Sequence, residues 1–293
     1  MKTLGGRQFW GDVYAFHDWR IQQNVLTGHF RLLDGDDFRH ASGTFKTCRR
    51  KLDEIRKARN LPPMKGKAVI VVHGIIRSSK SFAKMREQLK KEGFTVIGFD
   101  YPSTRVEITK SANYLHKVIT SLKGIEEINF VVHSMGGLVV RAYLINHRDK
   151  RIRRMVMLGV PNHGARMADT LKKNPLFRLV LGPAGQQLVS DPQGVINSLP
   201  IPDFEFGIVA GSRGTIKGYN PLIPGDDDGT VSVSSARLAG ARDFITVKCL
   251  HSFLMSHPRT IEFTSRFLRE GRFRKHGARH PIPQKKNLRI EAN

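Results

Sequence analysis

The chain of 293 residues is long enough for one large α/β domain with an extension. Its 40% apolar residues argue against global disorder, and its two cysteines argue against a disulfide framework. The 49 Lys and Arg residues against 25 Asp and Glu residues give a net charge of +24, which favours anionic partners and says nothing about the fold.

The first part of the chain, residues 1–62, reads as a basic N-terminal extension. A turn signal at Thr27-Gly28 within the mixed segment Trp19–Leu33 predicts a hairpin. The segment Lys46–Arg59 predicts a basic helix, and Pro62-Pro63 then breaks the chain.

Residues 63–270 show a regular alternation of apolar runs and helical patterns. The runs lack the polar alternation of a half-exposed strand, which indicates strands that are buried on both faces. Strands that alternate with helices predict an α/β fold with a mostly parallel central sheet and helices on both faces. The predicted strands are Ala68–Val72, Val96–Phe99, Ile128–Val132, Met155–Leu158, Phe206–Ala210 and Phe244–Val247.

A serine lies between the third predicted strand and the helix that follows it, in the segment 131–137. A sharp turn there lifts the Ser134 hydroxyl above the strand ends and directs the backbone N–H of Met135 at a developing oxyanion. The usual pattern for such a turn is Gly-x-Ser-x-Gly; Val132 replaces its first glycine, and Gly136 supplies room on the helix side. The placement favours a nucleophilic serine over a chance serine in an ordinary loop.

The loop after the first predicted strand begins with His73-Gly74. In a strand–turn–helix site of this kind a second oxyanion donor comes from such a loop, so we expect it to be the backbone N–H of Ile75. His73 itself fits a packed structural histidine as well as it fits a catalytic role.

The acid and the base are expected after the serine, in the order Asp or Glu, then His. Asp228 is the predicted acid, because Asp-Gly-Thr-Val can turn directly into the next element. Asp226 is the second candidate, and a solvated acidic turn or a calcium-binding loop would be non-catalytic alternatives. His251, directly after the last strand, is the predicted base, and His257 is the second candidate.

Residues 165–200 interrupt the alternation with apolar patches and turn signals. A segment of this length between strands is typical of a lid or cap. We expect Phe177 and Leu181 within it to line a pocket for the substrate. The alternative is that these side chains only pack a helix onto the sheet.

Together these motifs resemble the bacterial lipase and esterase branch of the α/β-hydrolase superfamily, over roughly residues 67–268. The matching motifs are His73-Gly74, the Ser134 turn, Pro161-Asn162-His163-Gly164, Asp228-Gly229-Thr230-Val231 and His251. The resemblance implies the α/β-hydrolase fold, hydrolysis of acyl esters through an acyl-enzyme on Ser134, and no metal or other cofactor. It also implies that Asn162 belongs to a turn on the substrate side.

Other functions stay open at this point. Within the superfamily they are thioesterase and phospholipase activity. Outside it, the alternative is a non-catalytic hydrolase-like protein that binds partners through its basic surface.

The partners predicted from charge concern mainly the basic tail, residues 271–293, which we expect to be flexible. An anionic membrane surface is one partner such a tail fits, beside the small-molecule or lipid ester substrate. No specific nucleic acid is predicted, because aromatic residues that could stack on bases are sparse there. The sequence shows neither a signal peptide nor a membrane-spanning window, so we expect a cytoplasmic location, peripheral at the membrane surface.

Overall fold

Two sheets and the helices packed on them make up the chain. A computed structural model describes residues 2–3, 6–166, 168, 175–191 and 193–284, without the side chains of residues 176–178. The strands are β1 (Trp10–Phe16), β2 (Trp19–Asn24), β3 (Phe30–Leu33), β4 (Arg39–Gly43), β5 (Gly66–Val72), β6 (Thr95–Phe99), β7 (Ile125–His133), β8 (Ile152–Leu158), β9 (Glu205–Ser212) and β10 (Asp243–Lys248). The helices are α1 (Phe45–Ala58), α2 (Ala83–Lys91), α3 (Ile108–Ser121), α4 (Met135–Asn146), α5 (Pro175–Gln186), α6 (Val195–Ser198), α7 (Val233–Ala236) and α8 (Pro258–Glu270). No helix among the described residues has both the length and the apolar character needed to cross a membrane.

The central sheet has six parallel strands in the order β10-β9-β8-β7-β5-β6. These are the six apolar runs predicted from the sequence, so the prediction of a parallel α/β sheet is confirmed. Strand β5 lies between β6 and β7, and the strand order changes direction there. Parallel α/β sheets bind ligands at the carboxyl ends of strands at such a switch point. The loops after β5 and β7 meet at this position.

Side chains of β5 point alternately into two apolar layers. Ala68, Ile70 and Val72 join the layer that includes α3 and α4. Val69 and Val71 join the layer that includes α2 and α8. All five side chains are fully buried, which explains why the sequence of this strand shows no polar alternation.

The N-terminal part of the chain forms an antiparallel sheet of four strands, β1-β2-β3-β4, with α1 packed against it. The predicted hairpin is present as β2 and β3, and the predicted basic helix as α1. The sequence predicted neither β1 nor β4. Ile21, Leu32 and Leu52 are fully buried in the same apolar cluster as one face of the central sheet, and β1 packs on α3. This N-terminal unit, residues 10–58, therefore shares its core with the central sheet.

The segment predicted as a cap follows β8 and contains α5 and α6. Helix α5 is kinked at Gly182, which has a positive φ of 59°. A Cβ at this position would lie 1.8 Å from the carbonyl oxygen of Thr104, so only glycine allows the close approach. This segment thus rests directly on the loop between β6 and α3.

Part of the basic tail is packed against the domain. Phe273 is fully buried, and its backbone N–H donates to Asp243 Oδ2 at 2.8 Å. The guanidinium of Arg274 forms an ion pair with Asp243 Oδ1 at 2.8 Å. Burial and these bonds hold residues 273 and 274 against the domain. The flexibility expected for the rest of the tail stays a prediction, and residues 285–293 lie outside the described part of the chain.

Truncating Phe273 tests this packing. We expect Phe273→Ala to lower the free energy of unfolding by about 3 kcal/mol, because it removes a buried ring and leaves a cavity. Phe253→Ala is the matched control; its ring is 60% exposed, so we expect a change within about 0.5 kcal/mol. Urea denaturation measures both variants, and equal stability of the two would show that residues 271–284 are detached in solution.

Candidate active site

Ser134 occupies a sharp turn between β7 and α4. Its backbone has φ 54° and ψ −130°, a conformation that costs a non-glycine residue about 1–3 kcal/mol. A hydrogen bond to β8 holds the turn in place: the Ser134 N–H donates to the carbonyl of Leu158 at 3.0 Å. The side chain consequently faces a cavity at the carboxyl edge of the sheet.

The glycines that this turn requires lie on its helix side. A Cβ on Gly136 would lie 2.4 Å from the carbonyl oxygen of Val72 in β5, so α4 approaches β5 backbone to backbone. A Cβ on Gly137 would lie 2.5 Å from a methyl group of Val160. Val132, which replaces the usual first glycine, is fully buried in the layer that includes α3 and α4. The departure from the usual motif is therefore accommodated by the core.

Asp228 and His251 form a buried pair. His251 Nδ1 donates to Asp228 Oδ2 at 2.8 Å, and the His251 backbone N–H donates to the Asp228 carbonyl at 2.8 Å. The other carboxylate oxygen, Oδ1, accepts the backbone N–H groups of Thr230 and Val231 at 3.0 and 2.8 Å. These bonds fix the position of the carboxylate and leave Nε2 of the imidazole as the nitrogen for a further partner.

The second candidates occupy other positions. Asp226 accepts the backbone N–H groups of Arg213 and Gly214. Asp227 accepts backbone N–H groups of other residues in the same turn. His257 directly precedes α8 and does not line the cavity at Ser134. Of the candidates named from the sequence, the geometry pairs Asp228 with His251.

Ser134 and His251 line the same cavity, which has a volume of about 440 Å³. Within the described residues no hydrogen bond joins the Ser134 hydroxyl to the imidazole, and hydrogen bonds of this kind are commonly long before substrate binds. The wall is mostly apolar. Its residues are Gly74, Ile75, Ile76, Arg77, His133, Ser134, Pro161, Ala165, Ala168, Leu181, Leu188, Thr230, Val231, His251 and Ser252.

The two backbone N–H groups that the sequence analysis expected as oxyanion donors belong to Ile75, which lines the cavity, and to Met135, which directly follows Ser134. His73 Nδ1 donates to the carbonyl of Gly74 at 2.7 Å, and in a trans peptide the N–H of Ile75 points the opposite way. Met135 is the first residue of α4, where the N–H has no partner within the helix. His73 is buried and stacked on Tyr101 at 4.4 Å, and burial lowers its pKa, as expected for a structural histidine.

His133 is a residue of the site to which the sequence analysis gave no role. Its Nε2 donates to the backbone carbonyl of His251 at 2.9 Å, and the two rings lie 4.6 Å apart. Burial, followed by the proximity of His251, lowers the pKa of His133 well below its usual value. A neutral ring at this position holds the loop of His251 without adding charge to the cavity. The only sequence signal was its place directly before Ser134.

The predicted substrate-binding residues have different outcomes. Leu181 lines the cavity, whereas the side chain of Phe177 lies outside the described part of the chain. Asn162 is buried behind the lining: its amide donates to the carbonyl of Ala236 at 2.9 Å and accepts from Arg141 at 3.2 Å. Substrate binding by Asn162 therefore stays a prediction, and in this structure its amide is hydrogen-bonded to the protein.

A family model described as the alpha/beta hydrolase fold matches residues 67–198. The match includes the Ser134 turn and the loop after β5, and it ends before Asp228 and His251. A search of curated proteins found no match. The family match and the parallel sheet confirm the α/β-hydrolase fold and the resemblance inferred from the motifs.

Solved structures with a similar fold include three bacterial proteins. The lipase BlEst2 of Bacillus licheniformis in its propeptide form is 23% identical, with 67% of this chain and 48% of that chain covered and a TM-score of 0.53. A gene product of Listeria innocua is 19% identical, with 75% and 98% covered and a TM-score of 0.50. The phospholipase PlaB of Legionella pneumophila is 15% identical, with 69% and 59% covered and a TM-score of 0.52. The chain thus spans about half the length of the Bacillus propeptide form.

The strained backbone at Ser134 can be tested by measuring the stability of variants at this position. We expect Ser134→Gly to be more stable than Ser134→Ala by about 1 kcal/mol, because glycine tolerates a positive φ and alanine does not. At Asn113, an exposed position within α3, the order should reverse by about 1 kcal/mol, because alanine is the better helix former. Urea denaturation of the four variants gives both differences, and an alanine preference at both positions would contradict the strained turn.

Proposed function

We propose that this chain is a serine hydrolase of carboxylic (acyl) esters that works through an acyl-enzyme on Ser134. One observation carries the proposal: Ser134, on its strained turn, shares a mostly apolar cavity with His251, whose Nδ1 is bonded to the buried carboxylate of Asp228. On this fold, acyl transfer is usually catalysed by a serine nucleophile, an acid that orients the base, and a histidine base, which follow one another in the chain in that order.

The proposed mechanism has two stages. Nε2 of His251 takes the proton of the Ser134 hydroxyl as its oxygen attacks the ester carbonyl, and Asp228 stabilises the imidazolium that forms. The backbone N–H groups of Ile75 and Met135 bind the oxyanion. His251 then gives its proton to the departing alcohol. Water attacks the acyl-enzyme by the same route and releases the acid.

The residues that line the cavity favour a substrate with an apolar acyl group. Ala165, Ala168, Leu181 and Leu188 come from the cap side and Val231 from the loop after Asp228. Hydrocarbon is buried favourably against such a surface, and no Asp or Glu among the described residues lines it. The Bacillus protein with this fold is named a lipase and the Legionella protein a phospholipase. An ester of a small acid, a lipid ester and a thioester are the substrates to compare.

The residues around the opening of the cavity favour binding of the protein to a membrane surface. Ile76 lines the cavity and is exposed, and Leu250 and Phe253 are exposed in an adjoining depression. The cation of Arg77 lines both. Apolar side chains next to positive charge suit anionic lipid. A peripheral position at a membrane surface is therefore part of the proposal, beside the cytoplasmic location expected from the sequence.

The proposed chemistry is tested by removing the nucleophile and the base. We expect Ser134→Ala and His251→Ala each to lower kcat for an acyl ester by on the order of 10⁴-fold or more, and the double variant to be little worse, because the residues act as a unit. Circular dichroism checks that each variant is folded. Full ester hydrolysis by a folded Ser134→Ala protein would sink the proposal.

The assignment of the acid has a matched control within the chain. Asp228→Asn keeps the shape of the side chain and removes its charge, so we expect kcat to fall on the order of 10⁴-fold. Asp226→Asn makes the same change two residues away, where the carboxylate only accepts backbone N–H groups, and should leave kcat nearly unchanged. The opposite ranking would assign the acid to Asp226.

The acyl pocket is tested by comparing two leucines of α5. Leu181 lines the cavity, whereas Leu179 is 71% exposed. We expect Leu181→Ala to reduce the preference for long over short acyl esters, because each methylene that loses burial costs about 0.8 kcal/mol, or about fourfold in kcat/KM. Leu179→Ala should leave the preference unchanged. A chain-length panel that moved equally in both variants would mean that the cavity does not hold the acyl chain.

A further inference from the structure

The loop that supplies the Ile75 N–H is strained. Ile76, the next residue, has a positive φ of 64°. A β-branched residue rarely adopts this conformation and keeps it only where its surroundings hold it. The groups that bond to Ile76 therefore decide where the preceding N–H points.

A closed ring of hydrogen bonds holds Ile76. Its N–H donates to Ser103 Oγ at 3.1 Å, and the Ser103 hydroxyl in turn donates to Oε1 of Gln8 at 3.4 Å. Nε2 of the same Gln8 amide donates to the carbonyl of Ile76 at 3.4 Å, which closes the ring. Thr104 adds a second hydroxyl to Gln8 Oε1 at 3.1 Å. Both polar groups of Ile76 are thus bonded, directly or through one hydroxyl, to one side chain.

Gln8 comes from outside the central sheet, directly before β1 of the N-terminal unit. Its position is fixed by neighbouring contacts with the same two loops. Asp12 in β1 and Asp100 at the end of β6 exchange two hydrogen bonds, at 2.8 and 2.7 Å. Arg7 donates to Ser78 Oγ at 3.3 Å. The start of β1 is therefore held against the loops after β5 and β6.

We propose that Gln8 is a positioning residue for the oxyanion hole: its amide holds Ile76 in the strained conformation that directs the Ile75 N–H into the cavity. This proposal rests on the proposed ester hydrolysis for its kinetic consequence. A glutamine suits the position because one planar amide carries the donor that the Ile76 carbonyl needs and the acceptor that the two hydroxyls need.

The variant that separates positioning from simple packing is Gln8→Glu. It keeps the size and the acceptor of Gln8 but places a second carboxylate oxygen against the Ile76 carbonyl in place of the donor. The matched control is Gln23→Glu, which makes the same change of charge in β2, where Gln23 accepts only from Lys117 at 3.4 Å. Gln8→Ala is the second variant if Gln8→Glu fails to fold.

The kinetic readout is the split between kcat and KM. Removing one oxyanion donor outright costs about 10²–10³-fold in kcat, so we expect its displacement in Gln8→Glu to lower kcat about tenfold. KM should stay within about twofold, because the contact acts in the transition state. Gln23→Glu should match the wild type. Wild-type kcat in folded Gln8→Glu and Gln8→Ala, or an equal loss in the control, would overturn the proposal.

Hydrogen–deuterium exchange supplies a readout that needs no activity. The peptide covering residues 75–78 should exchange faster in Gln8→Glu than in the wild type, and at the wild-type rate in Gln23→Glu. Unchanged exchange overturns the positioning role whatever the kinetics. An inactive wild type with faster exchange in Gln8→Glu would instead refute the ester hydrolysis and retain the role of Gln8 in holding the loop.

Discussion

The close approach of α4 to β5 is the constraint on which the site depends. Ser134 has its positive φ directly before the first residue of the helix. Gly136 lies against the Val72 carbonyl, where a Cβ would clash, so glycine allows the helix to start this close to β5. The same approach brings the first N–H of α4 beside the loop after β5. One backbone contact at the centre of the sheet thus positions Ser134 and the first N–H of α4, which are the proposed nucleophile and one of the two proposed oxyanion donors.

The sequence predicted most accurately what depends on burial along a single strand. Each central strand is buried on both faces, so its apolar run was visible without any knowledge of its neighbours. The Ser134 turn was visible because it needs small residues next to it. Choosing among the adjacent aspartates was harder, because all of them accept backbone N–H groups and only the folding of the loop directs Asp228 at His251.

Features that depend on distant partners were not predictable in the same way. Asp12, Gln22 and Arg31 are polar residues that read as surface, yet they are buried as a hydrogen-bonded chain across β1, β2 and β3. Their burial is possible because each satisfies the next. The same limit explains why the sequence did not predict the contacts of Asn162 and Phe273. The amide of Asn162 is hydrogen-bonded to α4 and to the end of α7, and the ring of Phe273 is buried.

The high positive charge illustrates the limit most clearly, because part of it serves the fold. Arg151 donates to the carbonyls of Ile119 and Leu122 at the end of α3, where a helix leaves its last carbonyls unpaired. Arg154 does the same for Leu268 at the end of α8. Arg141, buried in α4, donates to the carbonyls of residues 196, 199 and 200. Burial lowers its pKa to about 10, so it stays charged at neutral pH.

These three guanidinium groups bind carbonyl oxygens inside the protein. The net charge of the chain therefore overstates the positive charge on the surface that an anionic partner could contact. The choice of partner must therefore be argued from where the remaining cations lie, such as Arg77 at the mouth of the cavity, and not from their number.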